Sequence, residues 1–535
     1  MRSRRVLAKS VTRALLTTVV AAVAAAPFAA AWGVGHARVD DYLGPLQASF
    51  ASNYGGEVRI NLGPLGNAYL PSPAGPVGVE ITVGSIGTAA DSLNSLFSEQ
   101  TLAAFTALYN EPDEAVGAIV DRLAQDALVE SAKVEVLLLL AFAVWRLRGQ
   151  LLAPWVVHHL TRRRAGAIYL TVVALVVGSI LVPQPPVGTR ISVSRVVSAR
   201  IGDVTVDSVV LADLLDRGIK GVTLLSQRQQ KSVDTYIDGA TASLSTQLAR
   251  TPEPRFGETM IMGFSDLHCN EATTELITRL ERLTRPRAVL SSGDDTVNGT
   301  AVERGCIRRE AAIASGPPIV VATGNHDSDV TETQMRANGM TVLDGAPVTS
   351  SGLEILGDDD PEHNIPFSVE RTRDRPETEE ELGQRMVDVA RVRRTDVILV
   401  HQPAASAVIM ATPNPPAALV LWGHFHAQVG PTVVTHDDGT WTVGMQQGTA
   451  GGVKQPTITS FSTPFSPPLI SADVYFYFRD DATGLITGVQ PVHFLPDASV
   501  VIDPRIPTGD LGNLSTRSRE RLEVPAPTPT PAATR

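Results

Sequence analysis

Short aliphatic runs recur through the second half of the chain, and each ends abruptly in a polar motif. Met260-Ile261-Met262 leads to Asp266, Val289-Leu290 to Asp294, and Ile319-Val320-Val321 to Asn325. Val397-Ile398-Leu399-Val400 leads to His401, and Leu419-Val420-Leu421 to His424. Runs this short, aliphatic and often β-branched predict strands buried on both faces. The longer polar stretches between them have helical spacing: Leu382, Met386, Val389 and Ala390 make one apolar stripe among Glu and Arg. Strands alternating with helices predict an α/β fold with a largely parallel sheet. Further on, Thr432-Val433-Val434 and Val474-Tyr475-Phe476-Tyr477 read as strands of a second sheet.

The first half is patterned differently. Gly56-Glu57-Val58-Arg59-Ile60 and residues 77–83 run as strands do, with Gly and Pro between them. Ile191-Ser192-Val193 and Val204-Thr205-Val206 look similar, and together the two pieces predict one small β-rich module. Three long apolar stretches also stand out. Residues 14–33 follow Arg2, Arg4, Arg5, Lys9 and Arg13, and about 20 apolar residues can span a bilayer. Ala29-Ala30-Ala31 would equally suit cleavage of a signal peptide. Residues 134–156 include Glu135, Arg146 and Arg148, so a buried or interfacial helix competes with a span there. Residues 165–182 carry no charge and follow Arg162-Arg163-Arg164. Basic clusters mark cytoplasmic segments. Three spans that begin inside therefore place everything after about residue 184 outside; if the middle one does not cross, the second half of the chain is cytoplasmic. Residues 221–248 predict a helix with Leu224, Val233, Ile237 and Leu244 on one face, read as a spacer. From about residue 504, Pro, Thr, Ala and charge predict a disordered tail.

The motifs themselves supply chemistry. They read Ser265-Asp266-Leu267-His268, Gly293-Asp294-Asp295, Gly324-Asn325-His326-Asp327, His401, and Gly423-His424-Phe425-His426. Carboxylate, imidazole and one amide oxygen are the donors that hard or borderline divalent cations take. Polar residues at the carboxyl ends of such strands meet in a crevice, so five distant pieces can share one pocket. A lone histidine is usually a surface or satisfied core residue, but here five of the chain's eleven histidines fall inside the motifs.

All five motifs, in this order, resemble the calcineurin-like metallophosphoesterase superfamily over roughly residues 257–500. The resemblance implies a four-layer fold of two central β-sheets flanked by helices. It implies two divalent ions, manganese, iron or zinc. Asp266, His268 and His426 would hold the first metal; Asn325, His401 and His424 the second; Asp294 would bridge both. A hydroxide generated on the metals would attack phosphorus in line. His326 would face the phosphate and stabilise or protonate the leaving oxygen. Asp295 or Asp327 would orient His326 by a hydrogen bond, and the sequence does not choose between them. The expected activity is hydrolysis of a phosphomonoester or phosphodiester. A catalytically silent binding or receptor domain keeps the fold and changes the role. A transport component ranks last, because the third apolar stretch offers no polar path.

Bulk properties refine the picture modestly. At 535 residues more than one domain is expected, and a formal net charge of −11 gives no support for a nucleic-acid-binding surface. The two cysteines, Cys269 and Cys306, both fall in the enzyme half. If that half faces an oxidising compartment, a Cys269–Cys306 disulfide would pin the first metal loop. The domain reading is residues 1–33 as membrane helix or signal anchor, 34–130 as extracytoplasmic β-rich module, and 131–183 as transmembrane hairpin with a basic cytoplasmic loop. Residues 184–250 then form an extracytoplasmic linker and helix, 251–503 the phosphoesterase, and 504–535 the tail. The expected partners are a phosphate-ester substrate and the lipid bilayer. Asp358-Asp359-Asp360 could rim the crevice but reads first as a solvated turn.

Overall fold

The protein is described by a computed structural model covering residues 2–43, 46–72, 74–83, 112–152, 190–193, 204–364, 371–373, 375–393, 395–454 and 467–509, with isolated positions between 167 and 174. Two compact units emerge: residues 1–92 with 116–223, and residues 93–115 with 224–535.

The first unit holds helix α1 (Arg2–His36) and most of α2 (Pro112–Leu152). Its seven strands are β1 (Arg38–Leu43), β2 (Leu46–Asn53), β3 (Glu57–Asn61), β4 (Asn67–Pro71), β5 (Gly78–Val83), β6 (Ile191–Ser192) and β7 (Thr205–Val206). They form one sheet in the order β1-β2-β5-β3-β4-β7-β6. The β-rich module is therefore built from both pieces of sequence: Ala68 of β4 pairs with Val206 of β7. Arg190 donates to both carboxylate oxygens of Glu57 at 2.6 and 2.8 Å, and the Asn67 side chain donates to Asp207 at 2.7 Å. Ala68, Val193, Val204 and Val206 close a small core with Leu211 from helix α3 (Val209–Thr246). Of the candidate spans, residues 14–33 lie in α1, where Leu16–His36 is long and apolar enough to cross a membrane. Residues 134–152 lie in α2. Residues 153–156 and most of 165–182 lie outside the described residues.

In the second unit the chain alternates strand and helix. The first run is β8 (Glu258–Phe264), α4 (Glu271–Thr284), β9 (Ala288–Ser291), α5 (Arg304–Ala311), β10 (Val320–Val321), α6 (Asp329–Ala337) and β11 (Thr341–Val342). Next come β12 (Val348–Ser350), β13 (Leu353–Gly357), β14 (Glu362–Asn364), β15 (Arg371–Arg373), α7 (Glu379–Val392), β16 (Val397–Leu399), α8 (Pro403–Ala411) and β17 (Leu419–Trp422). Strands β18 (Val429–Thr435), β19 (Trp441–Gln446), β20 (Ala472–Asp480), β21 (Ile486–Phe494), β22 (Val500–Ile502) and β23 (Ile506–Pro507) close it. The five motif-bearing strands are divided between two sheets. One runs β11-β10-β9-β8-β20-β21-β22, with β23 on β21; the other runs β12-β13-β16-β17-β19-β18. Each is parallel at its motif strands and antiparallel where β20 or β18 joins.

Alternation along each strand makes the layers. From β8, Met260, Met262 and Phe264 face one core with Leu276, Ile277 and Leu280 of α4. Ile261 faces the other way, into the core between the sheets with Leu290, Val397, Leu399, Leu419, Leu421 and Val443. Ile398 and Val420 turn outward onto Leu382, Met386 and Ile409 of α7 and α8. Three expectations need correction. The later turns of α3 are not a spacer, since Val233, Tyr236, Ala240 and Leu244 are buried in the α4-side core. Thr432-Val433-Val434 and Val474-Tyr475-Phe476-Tyr477 belong to different sheets, because β18 pairs with β19 while β20 pairs with β8. The chain past residue 504 continues as β23, where Val489 pairs with Ile506; residues 510–535 lie outside the described residues.

Candidate metal centre

The carboxyl ends of β8, β9 and β10 present Asp266, Asp294 and Asn325, and those of β16 and β17 present His401, His424 and His426. The loops are stitched to one another by backbone hydrogen bonds: Asp266 N to Gly293 O at 2.8 Å, His268 N to Asp294 O at 3.0 Å, and Gly423 N to His401 O at 3.1 Å. Asp266, His268, Asp294, His424 and His426 all have φ between 45° and 78°. Side-chain-bearing residues rarely adopt this left-handed region, and its concentration at one place marks a functional site. Gly293, with φ +94°, and Gly324 permit the approach: a Cβ on Gly293 would lie 2.4 Å from Gly324 N, and one on Gly324 2.3 Å from Asp294 Oδ1.

Two groups of donors converge, Asp266 with His268 and His426, and Asp294 with His401 and His424. Asn325 joins the second, its Oδ1 lying 3.0 Å from His424 Nδ1. One oxygen of Asp294, Oδ2, faces both groups, 3.1 Å from His401 Nε2 and 3.9 Å from His268 Nε2. Backbone carbonyls fix three tautomers. His268 Nδ1 meets Thr296 O at 3.0 Å, His401 Nδ1 meets Ser292 O at 2.8 Å, and His426 Nδ1 meets Val453 O at 2.7 Å. A carbonyl only accepts, so each Nδ1 carries a proton, and each ring when neutral turns its Nε2 lone pair to the centre. His268 Nε2 and His426 Nε2 face each other at 3.0 Å, and Asp266 Oδ1 lies 3.3 Å from the latter. Nitrogens and carboxylate oxygens gathered this closely need a proton or a cation among them, and this donor set fits the divalent ions that the motifs imply.

Ionisation reflects the same crowding. Burial alone would raise Asp294, but His401 and His326 beside it hold its carboxyl well below the usual range. Burial would likewise raise Asp266, and His426 keeps it low. His401 and His426 move up: burial opposes their protonation, but Asp294 and Asp266 respectively outweigh it. Burial and the neighbouring His426 push His268 down to about 3.

The expectation that Asp295 or Asp327 orients His326 is not met by the ring's hydrogen bond. His326 Nδ1 meets Val297 O at 2.7 Å, while its backbone N donates to Asp294 Oδ1 at 2.8 Å. Asp327 instead ties loops together, accepting from Thr296 N at 3.0 Å and from Gly324 N at 3.0 Å. Asp295 accepts from Ser291 Oγ at 2.7 Å and turns its other oxygen toward the buried Glu310. Burial, then Asp327, raises Asp295; burial, then Asp295, raises Glu310, so this carboxyl pair retains a proton. Asp358-Asp359-Asp360 is not a solvated turn: Arg375 and Arg385 reach Asp358 at 2.9 and 2.8 Å, and Asp360 is buried. Sequence reading missed Glu303, Glu310 and Gln402. Glu303 caps the Thr300 turn and holds Val297 N at 2.7 Å, the residue whose carbonyl meets His326; its capping-box spacing from Thr300 was legible. Cys269 and Cys306 form a disulfide, Cα–Cα 5.2 Å, tying the residue after His268 to α5.

Residues 259–428 match the family model described as calcineurin-like phosphoesterase. No curated protein matches the chain. Among solved structures, it is similar to a novel archaeal phosphodiesterase (12% identity, 46% of this chain and 100% of that one, TM-score 0.25). It is also similar to the Escherichia coli phosphoesterase Yfce (13%, 46% and 99%, TM-score 0.24). A third is a metallophosphoesterase from Sphaerobacter thermophilus (15%, 49% and 94%, TM-score 0.20).

Proposed function

We propose that this chain is a membrane-anchored, two-metal phosphoesterase whose catalytic unit lies outside the cytoplasm. Asp266, His268 and His426 would hold one cation and Asn325, His401 and His424 the other, with Asp294 shared. The observation that carries this reading is the pair of donor groups flanking the single oxygen Asp294 Oδ2. When bound, two divalent cations (manganese, iron or zinc) supply Lewis acidity toward phosphate oxygens and a nucleophile from water at neutral pH.

The chain's own residues do the rest. The carbonyls of Thr296, Ser292 and Val453 hold three imidazoles so that no reorganisation accompanies the reaction. Asp294 stays anionic under the influence of His401 and His326. His326 is half-buried beside the centre, with its ring 5.0 Å from that of His268. With Nδ1 committed to Val297 O, Nε2 is the nitrogen that serves the phosphoryl or leaving oxygen.

Anchoring is supported by the first unit. The α1 segment Leu16–His36 is apolar, and Leu16, Val19, Val20 and Val23 are exposed on it. On α2, Val136, Leu137, Leu138 and Leu140 are exposed as well. These helices approach closely, since a Cβ on Gly33 would meet Ala127 O and Ser131. Tyr169, in the third apolar stretch, donates to Ala24 O at 3.0 Å. The basic clusters at Arg2–Arg13 and Arg162–Arg164 would face the cytoplasm. A disulfide beside the centre suits an oxidising compartment.

The test is turnover by the full chain in detergent, loaded with manganese, of an aryl phosphomonoester and an aryl phosphodiester. His326→Ala is expected to lose about 10²-fold or more in rate while keeping both ions. Two bound ions with no turnover of either ester would instead mark a silent binding domain. A reporter fused at Gln184 is expected to read outside; a cytoplasmic signal would overturn the orientation.

A further inference from the structure

An amide ligand has a weakness that a carboxylate lacks: it can present the wrong end. Asn325 Oδ1 lies 3.0 Å from His424 Nδ1. Rotated by half a turn, the amide would offer Nδ2–H to that nitrogen and close the position with a hydrogen bond. No hydrogen bond on the Nδ2 side opposes this, since Asn325 Nδ2 has no hydrogen-bond partner among the described residues.

On the other side stands Gln402, the residue after His401. Its Nε2 is 3.5 Å from Asn325 Oδ1 and donates to Asp360 Oδ2 at 2.8 Å. Burial pushes the Asp360 carboxyl up to about 7; above that pH it is ionised and only accepts, so it dictates which end of Gln402 faces it. The other oxygen of Asp360 accepts Glu362 N at 2.9 Å, and its own N donates to Thr323 O at 3.0 Å, two residues before Asn325. Asp358, beside it, is held by Arg375 and Arg385. Asn325, Gln402 and Asp360 are all buried.

We infer that Asp360 and Gln402 are positioning residues that fix the Asn325 amide with its oxygen toward the second cation. A carboxylate that only accepts turns the Gln402 NH₂ toward Asn325, and that NH₂ faces an oxygen favourably and an NH₂ unfavourably. The relay rests on the two-metal reading above and adds a rule to it: occupancy of one position depends on residues that touch no ion.

The experiment is manganese binding to the full chain in detergent, read by calorimetry and by ions retained after gel filtration. Wild type is expected to bind two. Asp360→Asn and the near-isosteric Gln402→Met are each expected to weaken one ion by about 10- to 100-fold, as loss of outer-shell support does, and the other by less than about 2-fold. In an Asn325→Asp background, where both ends are oxygen, Asp360→Asn is expected to change neither ion beyond about 2-fold. Wild-type binding by both variants would overturn the relay, as would equal weakening of both ions, or an undiminished loss in the Asn325→Asp background. Should Asp360→Asn not fold, Gln402→Met alone and in the Asn325→Asp background decides the matter. A wild-type chain that binds no manganese would instead defeat the two-metal reading itself.

Discussion

The two halves of the candidate metal centre are built on different principles. In the first group, His268 and His426 are held by main-chain carbonyls, and the residue after His268 is covalently tied to α5. In the second, His401 is held in that way but Asn325 depends on the side chains of Gln402 and Asp360. Main-chain support comes with the fold and survives most substitutions. Side-chain support is local and is lost with one residue. The first position should therefore be robust and the second tunable.

The largest effect tests what the halves share. Asp294→Asn is expected to lose about 10³-fold or more in activity and to reduce both occupancies, read by rate and elemental analysis. Loss of only one ion would show the halves to be independent. Next, Cys269→Ser with Cys306→Ser removes the covalent tie. Stability should fall by about 2–4 kcal/mol in thermal or denaturant unfolding, and the first ion should weaken more than the second. Equal weakening would erase the asymmetry.

Acid should act on both halves alike. His426 and His401, one in each, are raised by their carboxylates, so protons and cations compete for the same nitrogens. Affinity should fall on acidification through those raised values, about tenfold per pH unit for each proton displaced, with proton release visible in calorimetry across buffers. His268, pushed down to about 3, adds nothing to that competition near neutrality.

The smallest effect concerns the carboxyl pair beneath the centre. Glu310 is raised in the folded state by burial and Asp295, so its stabilising contribution is complete below the unfolded value and lost as pH rises through the folded one. Glu310→Gln needs no proton. Its stability relative to wild type should rise as pH is raised above the ordinary carboxylate range, read by denaturant unfolding at a series of pH values. A difference independent of pH would show that the pair shares no proton.

Much of this was legible in one dimension. Strand tips announce themselves because a run buried on both faces is aliphatic and the residue that leaves the sheet is not. Thus Asp266, Asp294, Asn325, His401 and His424 could each be placed at a strand end. The β-rich module was visible because Gly56–Ile60 and Val204–Val206 carry strand-like composition. The spacer reading of α3 failed because an amphipathic stripe of Val233, Ile237 and Leu244 does not say which surface it covers. The orienter of His326 was missed because a backbone carbonyl, Val297 O, has no residue signature.

The order of polar motifs and the residue types at them fixed which atoms are available to cations, since ligand chemistry is a property of the side chain. Tertiary structure alone decided how those atoms are presented. It split five motif strands between two sheets, set ring tautomers with main-chain carbonyls, and brought Asp360 against Gln402 across 42 positions. Hydrogen-bond direction and burial depend on what lies across a gap in space, and the gap between distant segments exists only once the sheets have packed.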